Sequence, residues 1–126
     1  MPTQTVAVLG ASADRSKYSN KSVRAHQAQG WDVYPVNPKG GEIEGLKVYA
    51  SLADIPVALD RATMYLPPAV GVNVLDEIAA AKPKEFFVNP GAESDELLDK
   101  ARSLGLDPIL ACSIVDLGVT PADFEG

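Results

Sequence analysis

The sequence predicts a doubly wound parallel α/β sheet, and three observations carry that prediction. Short apolar runs rich in β-branched or aromatic residues recur, as in Val6-Ala-Val-Leu9 and Phe86-Phe-Val88. Stretches with apolar residues at helical spacing lie between them, so strands and helices alternate. Glycine, proline or asparagine follows most runs, at Gly10, Asn37-Pro38, Pro67-Pro68 and Asn89-Pro90-Gly91, and these residues end regular structure. Parallel strands need crossovers, and right-handed crossovers restrict the topology.

The first strand, Thr5–Leu9, is apolar without alternation, which suits a central strand covered on both faces. After it, residues 11–17 are polar and irregular. A helix is expected from near Ser19, a good N-cap, to Gly30, a good C′ residue. Residues 31–36 form the second expected strand, broken by Asn37-Pro38-Lys39-Gly40-Gly41. In residues 42–50 the pattern is ambiguous; Ile43, Leu46, Val48 and Tyr49 suit a small excursion covering a sheet edge. Residues 51–55 read as one helical turn stopped at Pro56.

The third strand is expected over 62–66. Pro67-Pro68 then opens a helix, since proline is tolerated in a first helical turn. Val70, Val74, Leu75 and Ile78 continue it at helical spacing to about Ala81, and Pro83 ends it. Glu85–Val88 is the fourth strand. Leu97, Leu98, Ala101 and Leu104 mark the next helix, with acids in its first turn and Gly105 at its end. The fifth strand is expected over 108–111, and the tail to Gly126 reads as packed coil or a short helical turn. Numbered along the chain, these five strands are expected in the order 3-2-1-4-5, with the switch point between strands 1 and 4. Ligands of such sheets bind beyond the C-terminal strand ends at that point.

Bulk properties bound the function. A chain of 126 residues fits one domain, 1–126, with one core. The net charge of −6 argues against a nucleic-acid partner held by a basic surface. No apolar run approaches the length of a membrane span. The start, Met1-Pro-Thr-Gln, has neither the basic region nor the long apolar segment of a signal peptide. A lone cysteine, Cys112, cannot make an internal disulfide, so a cytoplasmic location is expected. One histidine and one cysteine make a zinc site built by the chain unexpected. A homo-oligomer or a protein partner is compatible with all of this.

The ligand is read from the strand ends. A strand, a glycine turn and a helix start make a phosphate site, because the first N–H groups of a helix are unpaired and its dipole is positive there. Gly10, Ala11 and Ser12 occupy that turn, although the same residues would serve a plain strand-to-helix connection. Arg15 and Lys17 are loop cations within reach of a pyrophosphate, and equally ordinary surface charges; Ser19 sits at the expected helix start. The turn is not GxGxxG, so it matches a dinucleotide fingerprint weakly. NAD sites place an acid on the ribose at the end of the second strand. Here Asn37, Pro38 and Lys39 stand instead, and Lys39 favours an extra phosphate near the ribose, as in NADP or coenzyme A. Leu66, Pro67, Pro68, Asn89 and Gly91 would line the same crevice.

Val-Leu-Gly-Ala-Ser at 8–12, Val-Asn-Pro-Lys at 36–39, Ser-Leu-Ala-Asp-Ile-Pro at 51–56, Tyr-Leu-Pro-Pro at 65–68 and Asn-Pro-Gly at 89–91 together resemble the small CoA-binding domain proteins. These are relatives of the CoA-binding domain in the succinyl-CoA synthetase α-subunit. The resemblance spans nearly the whole chain. It implies a Rossmann-like fold and coenzyme A, free or acylated, as the cofactor, with no established reaction for the domain alone. Such proteins often carry Asp-Arg-Cys near the last strand, where this chain has Leu110-Ala111-Cys112. The synthetase's phosphorylated histidine belongs to another domain, and His26 does not correspond to it.

The expected function is therefore a non-catalytic module, regulatory or carrier-like, that binds CoA or an acyl-CoA. The alternatives are a small NADP-dependent oxidoreductase or a fragment of one, and an interaction protein with a degenerate nucleotide site. His26 is expected at the core edge rather than in catalysis. Cys112 reads as a packed thiol or as a partner for the CoA thiol in a mixed disulfide.

Overall fold

The computed structural model describes residues 3–125. Met1, Pro2 and Gly126 lie outside them, and with them the ends of the expected 1–126 domain and part of the N-terminal segment judged above. The chain runs β1 (Thr5–Leu9), α1 (Tyr18–Ala28), β2 (Asp32–Val36), β3 (Glu42–Ile43) and β4 (Leu46–Lys47). A 3₁₀ turn (Leu52–Asp54) leads to β5 (Arg61–Met64), α2 (Pro68–Gly71), α3 (Leu75–Ala81) and β6 (Glu85–Val88). Then come α4 (Asp95–Ser103), β7 (Pro108–Leu110), α5 (Ser113–Asp116) and a second 3₁₀ turn (Pro121–Phe124). The five longer strands form one parallel sheet, a Rossmann-like α/β arrangement. No helix among the described residues is long and apolar enough to cross a membrane.

The strand order is β2-β1-β5-β6-β7, which corrects the expected one. The third long strand, β5, pairs with β1 and not with the outer edge of β2: Ala7 lies opposite Ala62. Two physical reasons exclude the expected place. Pro35 has no N–H, so β2 cannot donate there to a strand outside it, and proline in a sheet belongs on an edge. The 42–50 excursion already occupies that edge. Tyr49 N–H donates to Pro35 O at 2.9 Å, and Asn37 N–H donates to Tyr49 O at 2.9 Å. Ile43 and Val48 are buried there against Val33, so the expected edge cover is present, built as the β3–β4 hairpin. The switch point moves accordingly, from between strands 1 and 4 to between β1 and β5.

Side-chain alternation divides the core into two layers. Val6 and Val8 face α1 and pack with Val23 and Ala11. Ala7, Leu9, Ala62 and Met64 face the other way and pack with Leu75, Ile78 and Leu97 of α3 and α4. Each fully buried Val, Leu, Ile or Met side chain among these contributes roughly 1.5–3 kcal/mol.

Helix ends follow local chemistry. At the end of α1, Gly30 N–H donates to Gln27 O and Trp31 N–H to His26 O, both at 3.0 Å. This is the Schellman pattern, with Gly30 at φ +84°. Its usual apolar contact is the Trp31 ring, edge-on to His26 at 5.2 Å. Ser94 caps α4 by accepting from Leu97 N–H at 3.1 Å. The expected single helix over 67–81 is broken into α2 and α3. Asn73 and Val74 bond back three residues, to Val70 and Gly71, which is 3₁₀ geometry. Gly71 packs against the Met64 and Leu97 side chains. Val70, expected on the core face, is 47% exposed. The tail holds α5 and the second 3₁₀ turn, both packed on α1. Ser113 and Ile114 of α5 are fully buried.

Candidate functional site

A crevice of about 680 Å³ opens beyond the C-terminal ends of β1, β5 and β6. Gly10, Ala11 and Ser12 form one wall, and Lys17 and Ser19 continue it along the approach to α1. Asn37 closes the side next to β2. Leu66, Pro67 and Pro68 face it across the opening, with Gly91 at the far end. Ten expected site residues thus meet on one surface. Ser16, Tyr18, Tyr65 and Ala92 line it as well, outside the expected set, together with Pro90 of the expected Asn89-Pro90-Gly91 turn.

The glycine turn is built for close approach. Gly10 adopts φ +83°, and a Cβ there would lie 3.1 Å from Leu66 Cδ2. The N–H groups of Gly10 and Ala11 both donate to Val36 O, at 3.1 and 3.2 Å, so the turn is anchored to β2. Asn37 reinforces this by donating from Nδ2 to Ala11 O at 2.9 Å. The loop that follows is shaped by its own side chains. Asp14 Oδ1 accepts from Ser16 N–H and Oγ at 3.0 and 2.6 Å, and these bonds hold its carboxyl below the usual carboxylate range. Asn20 Nδ2 donates to Ser12 O at 2.9 Å, which ties the loop to the helix.

The start of α1 faces this crevice with its N–H groups free. The N-cap is Lys17, in extended conformation, and not Ser19 as expected; Ser19 is buried in the first turn. No side chain caps this end and no acid lies in its first turn. The N–H groups of Tyr18, Ser19 and Asn20 have no partner among the described residues. The first helical bond runs from Lys21 N–H to Lys17 O.

Four expected site residues lie off the wall. Arg15 is exposed and turned to Glu44, 3.6 Å away. Pro38 and Lys39 are exposed beyond Asn37, and Lys39 N–H donates to Asn37 Oδ1 at 2.9 Å. Asn89 is buried and points inward. Its Nδ2 donates to Thr63 Oγ1 at 2.7 Å and Met64 O at 2.8 Å, and its Oδ1 accepts from Ser113 N–H at 2.9 Å. It fixes the ends of β5 and β6 and the start of α5 to one another, so its amide shapes the crevice from behind. Tyr65 stands between that network and the crevice. Its hydroxyl lies 3.2 Å from Ser113 Oγ, and burial raises its pKa above the usual phenol value. Cys112, the half-buried N-cap of α5, is not among the wall residues.

His26 is fully buried, deeper than the expected core edge. It sits on the buried face of α1 against Arg61 and is not among the crevice-wall residues.

A family model described as "CoA binding domain" matches residues 4–118. The alpha subunit of ADP-forming acetate–CoA ligase I from Pyrococcus furiosus is 33% identical over 94% of this chain. The match covers 29% of that subunit, so this chain spans less than a third of its length. A solved conserved hypothetical protein from Pyrococcus furiosus superposes with a TM-score of 0.82 at 35% identity, covering 90% of this chain and 98% of that one. The dinucleotide-forming acetyl-coenzyme A synthetase 1 of Ca. Korarchaeum cryptofilum, solved with phosphate and ADP, has a TM-score of 0.73 at 32% identity. That match covers 84% of this chain and 25% of the synthetase.

Proposed function

The chain belongs to the CoA binding domain family, and from that premise we propose that its crevice binds coenzyme A or an acyl-CoA and that the domain acts as a non-catalytic module, regulatory or carrier-like. The observation that carries the reading is the pairing of the anchored Gly10 turn with the uncapped start of α1. An anion there meets free N–H groups and the positive end of the helix dipole. The apolar wall of Leu66, Pro67, Pro68 and Pro90 suits the pantetheine arm, which has little charge of its own.

Two observations favour binding over chemistry. His26 is committed to Ser22 O and Arg61, at 2.8 and 3.3 Å, on the buried face of α1. Tyr65 is half-buried, hydrogen-bonded, and biased by burial towards its neutral form. The neighbouring Cys112 is a free thiol, which suits a reducing cytoplasm. An NADP-dependent oxidoreductase finds less support, because the glycine turn lacks the further glycines of a dinucleotide fingerprint.

The test is ligand-dependent stability. A ligand that binds only the native state adds about 2.7 kcal/mol at one hundred times its dissociation constant. Coenzyme A is expected to raise the thermal midpoint with the logarithm of its concentration above the dissociation constant, with NAD and NADP doing much less. Equal or greater stabilisation by NAD overturns the reading.

A further inference from the structure

The parallel sheet has two edges, and the chain treats them differently. On the β2 edge, Pro35 offers no N–H, its C=O is taken by Tyr49 N–H at 2.9 Å, and β4 packs alongside. The β7 edge has no strand beyond it. An open edge is a template for another strand, and folds blunt it with charge or cover. Residues 108–111, Pro-Ile-Leu-Ala, carry no charge.

The pairing pattern shows which groups β7 leaves free. Glu85 N–H donates to Asp60 O and Asn89 N–H to Met64 O, so Phe86 and Val88, which alternate with them, turn to β7. Ile109, opposite Phe87, therefore bonds to β6, and Pro108 and Leu110 turn their peptide groups outward. Leu110 offers both an N–H and a C=O there. Its side chain, on the same face as that of Val88, is 55% exposed. Val115 of α5, on the α1 side of the sheet, is 56% exposed.

A second copy meets this edge in one way. Joining β7 to β2 of the next copy is blocked at Pro35, so an open chain of copies does not form. Two β7 strands about a two-fold axis are antiparallel, and a residue with an outward N–H and an outward C=O pairs with itself there. In that register Pro108 stands opposite Cys112 of the second copy. Pro108 has an acceptor and no donor. Cys112 has an N–H without a partner among the described residues, and its C=O already accepts from Asp116 N–H at 3.1 Å.

We propose that two copies of this chain associate through β7, with Leu110 paired to Leu110 across a two-fold axis, joining the two five-stranded sheets into one. The paired leucine side chains lie side by side on one face. The two sets of strands run in opposite directions, so the two crevices open at opposite ends of the joint sheet and stay accessible. The contact is apolar and joins two chains of net charge −6, so salt strengthens it by screening their repulsion.

The test is sedimentation equilibrium of wild type and Leu110→Lys, from micromolar to near-millimolar protein, at low and high salt. Wild type is expected to pass from monomer to dimer with concentration, more readily at high salt. Leu110→Lys sets like charges directly opposite at the axis and is expected to stay monomeric. Its thermal midpoint in dilute solution is expected to match wild type, because the side chain is exposed. A second measurement uses Leu110→Cys in a Cys112→Ser background. The pairing sets the two Cα atoms about 5.5 Å apart, within the span of a disulfide. Oxidised glutathione is expected to link them into a covalent dimer, taking up their two hydrogens to become two molecules of glutathione. Val57→Cys in the same background, 41% exposed on another surface, is expected to cross-link far more slowly. Wild type that stays monomeric at every concentration and salt overturns the proposal. So does a dimer that Leu110→Lys leaves intact, or one in which Leu110→Cys cross-links no faster than Val57→Cys.

Discussion

Nη1 of Arg61 lies 3.3 Å from Nε2 of His26, inside the protein. The pair fixes the histidine's charge state. Nδ1 is 2.8 Å from Ser22 O, and a carbonyl only accepts, so Nδ1 carries the hydrogen. Nε2 is then the acceptor for the guanidinium. Arg61 is held between the Trp31 and Phe87 rings, at 4.6 and 4.5 Å, and is paired with Glu85 and Asp116 at 3.0 and 2.7 Å. A second proton on His26 would face this fixed cation.

Stability is therefore expected to fall in mild acid. Burial, with the Arg61 charge adding to it, lowers the His26 pKa from 6.5 to about 4. Between those values the unfolded chain binds a proton that the folded one does not, so stability rises with pH. The contribution is complete above about pH 6.5 and is lost as pH falls to about 4. At about 1.36 kcal/mol per pH unit the loss is roughly 3 kcal/mol. Urea unfolding at pH 7.5, 6, 5 and 4 measures it. His26→Gln is expected to be less stable at pH 7.5 and to show a shallower decline, and an equally steep decline in that variant would assign the effect to the carboxylates.

Asn89 gives a second prediction. Its amide spends both ends on buried partners: Thr63 Oγ1 and Met64 O accept, and Ser113 N–H donates. Asn89→Asp keeps the shape but sets an oxygen against the Met64 carbonyl and brings a charge into a buried site. A loss of about 2–3 kcal/mol is expected, read by denaturant unfolding. CoA affinity is expected to fall too, although the side chain is not on the wall, because the turns after β5 and β6 lose their common anchor. A variant as stable as wild type that binds normally would show that the backbone holds these turns unaided.

Much of the fold was legible because its signals are local. The strands are apolar runs ended by Gly, Pro or Asn, and Gly30 and Gly105 stand just past their helices at φ +84° and +85°. The strand order is set by distant contacts and was misread. The usable signal was Pro35, whose missing N–H marks β2 as an edge strand. The break after Gly71 answers to the fit of that residue against Met64 and Leu97, which helical spacing does not encode. At the crevice, the glycine turn and the two prolines were legible as strand-end punctuation. Tyr65, Ser113 and Asn89 were not legible as a network, because they come from three separate segments and meet only when the sheet forms. Asn89 carried the right address and the wrong role: its place at a strand end was readable, and its inward rotamer was not.

Lys39 supplies the last prediction, on the choice between coenzyme A and its close analogue. The residue follows Asn37, which lines the crevice and whose Oδ1 accepts from Lys39 N–H at 2.9 Å. The backbone at 39 is thus anchored beside the end of β2, the strand that handles the adenine ribose in sheets of this class. The side chain is exposed, and among the described residues its ammonium has no carboxylate within 4.0 Å. CoA carries a 3′-phosphate on that ribose and dephospho-CoA does not. A lysine ammonium is a compact charge suited to such a phosphate. At an open rim the pair is screened by salt, so about 1–3 kcal/mol is expected at low ionic strength and much less at high. Lys39→Ala is expected to weaken CoA and leave dephospho-CoA nearly unchanged. Titration of the two ligands against wild type and Lys39→Ala measures this difference. Equal affinity of wild type for CoA and dephospho-CoA at low salt removes Lys39 from recognition of the 3′-phosphate. Equal weakening of both ligands by Lys39→Ala would move its action to the diphosphate or to the loop that Asn37 anchors.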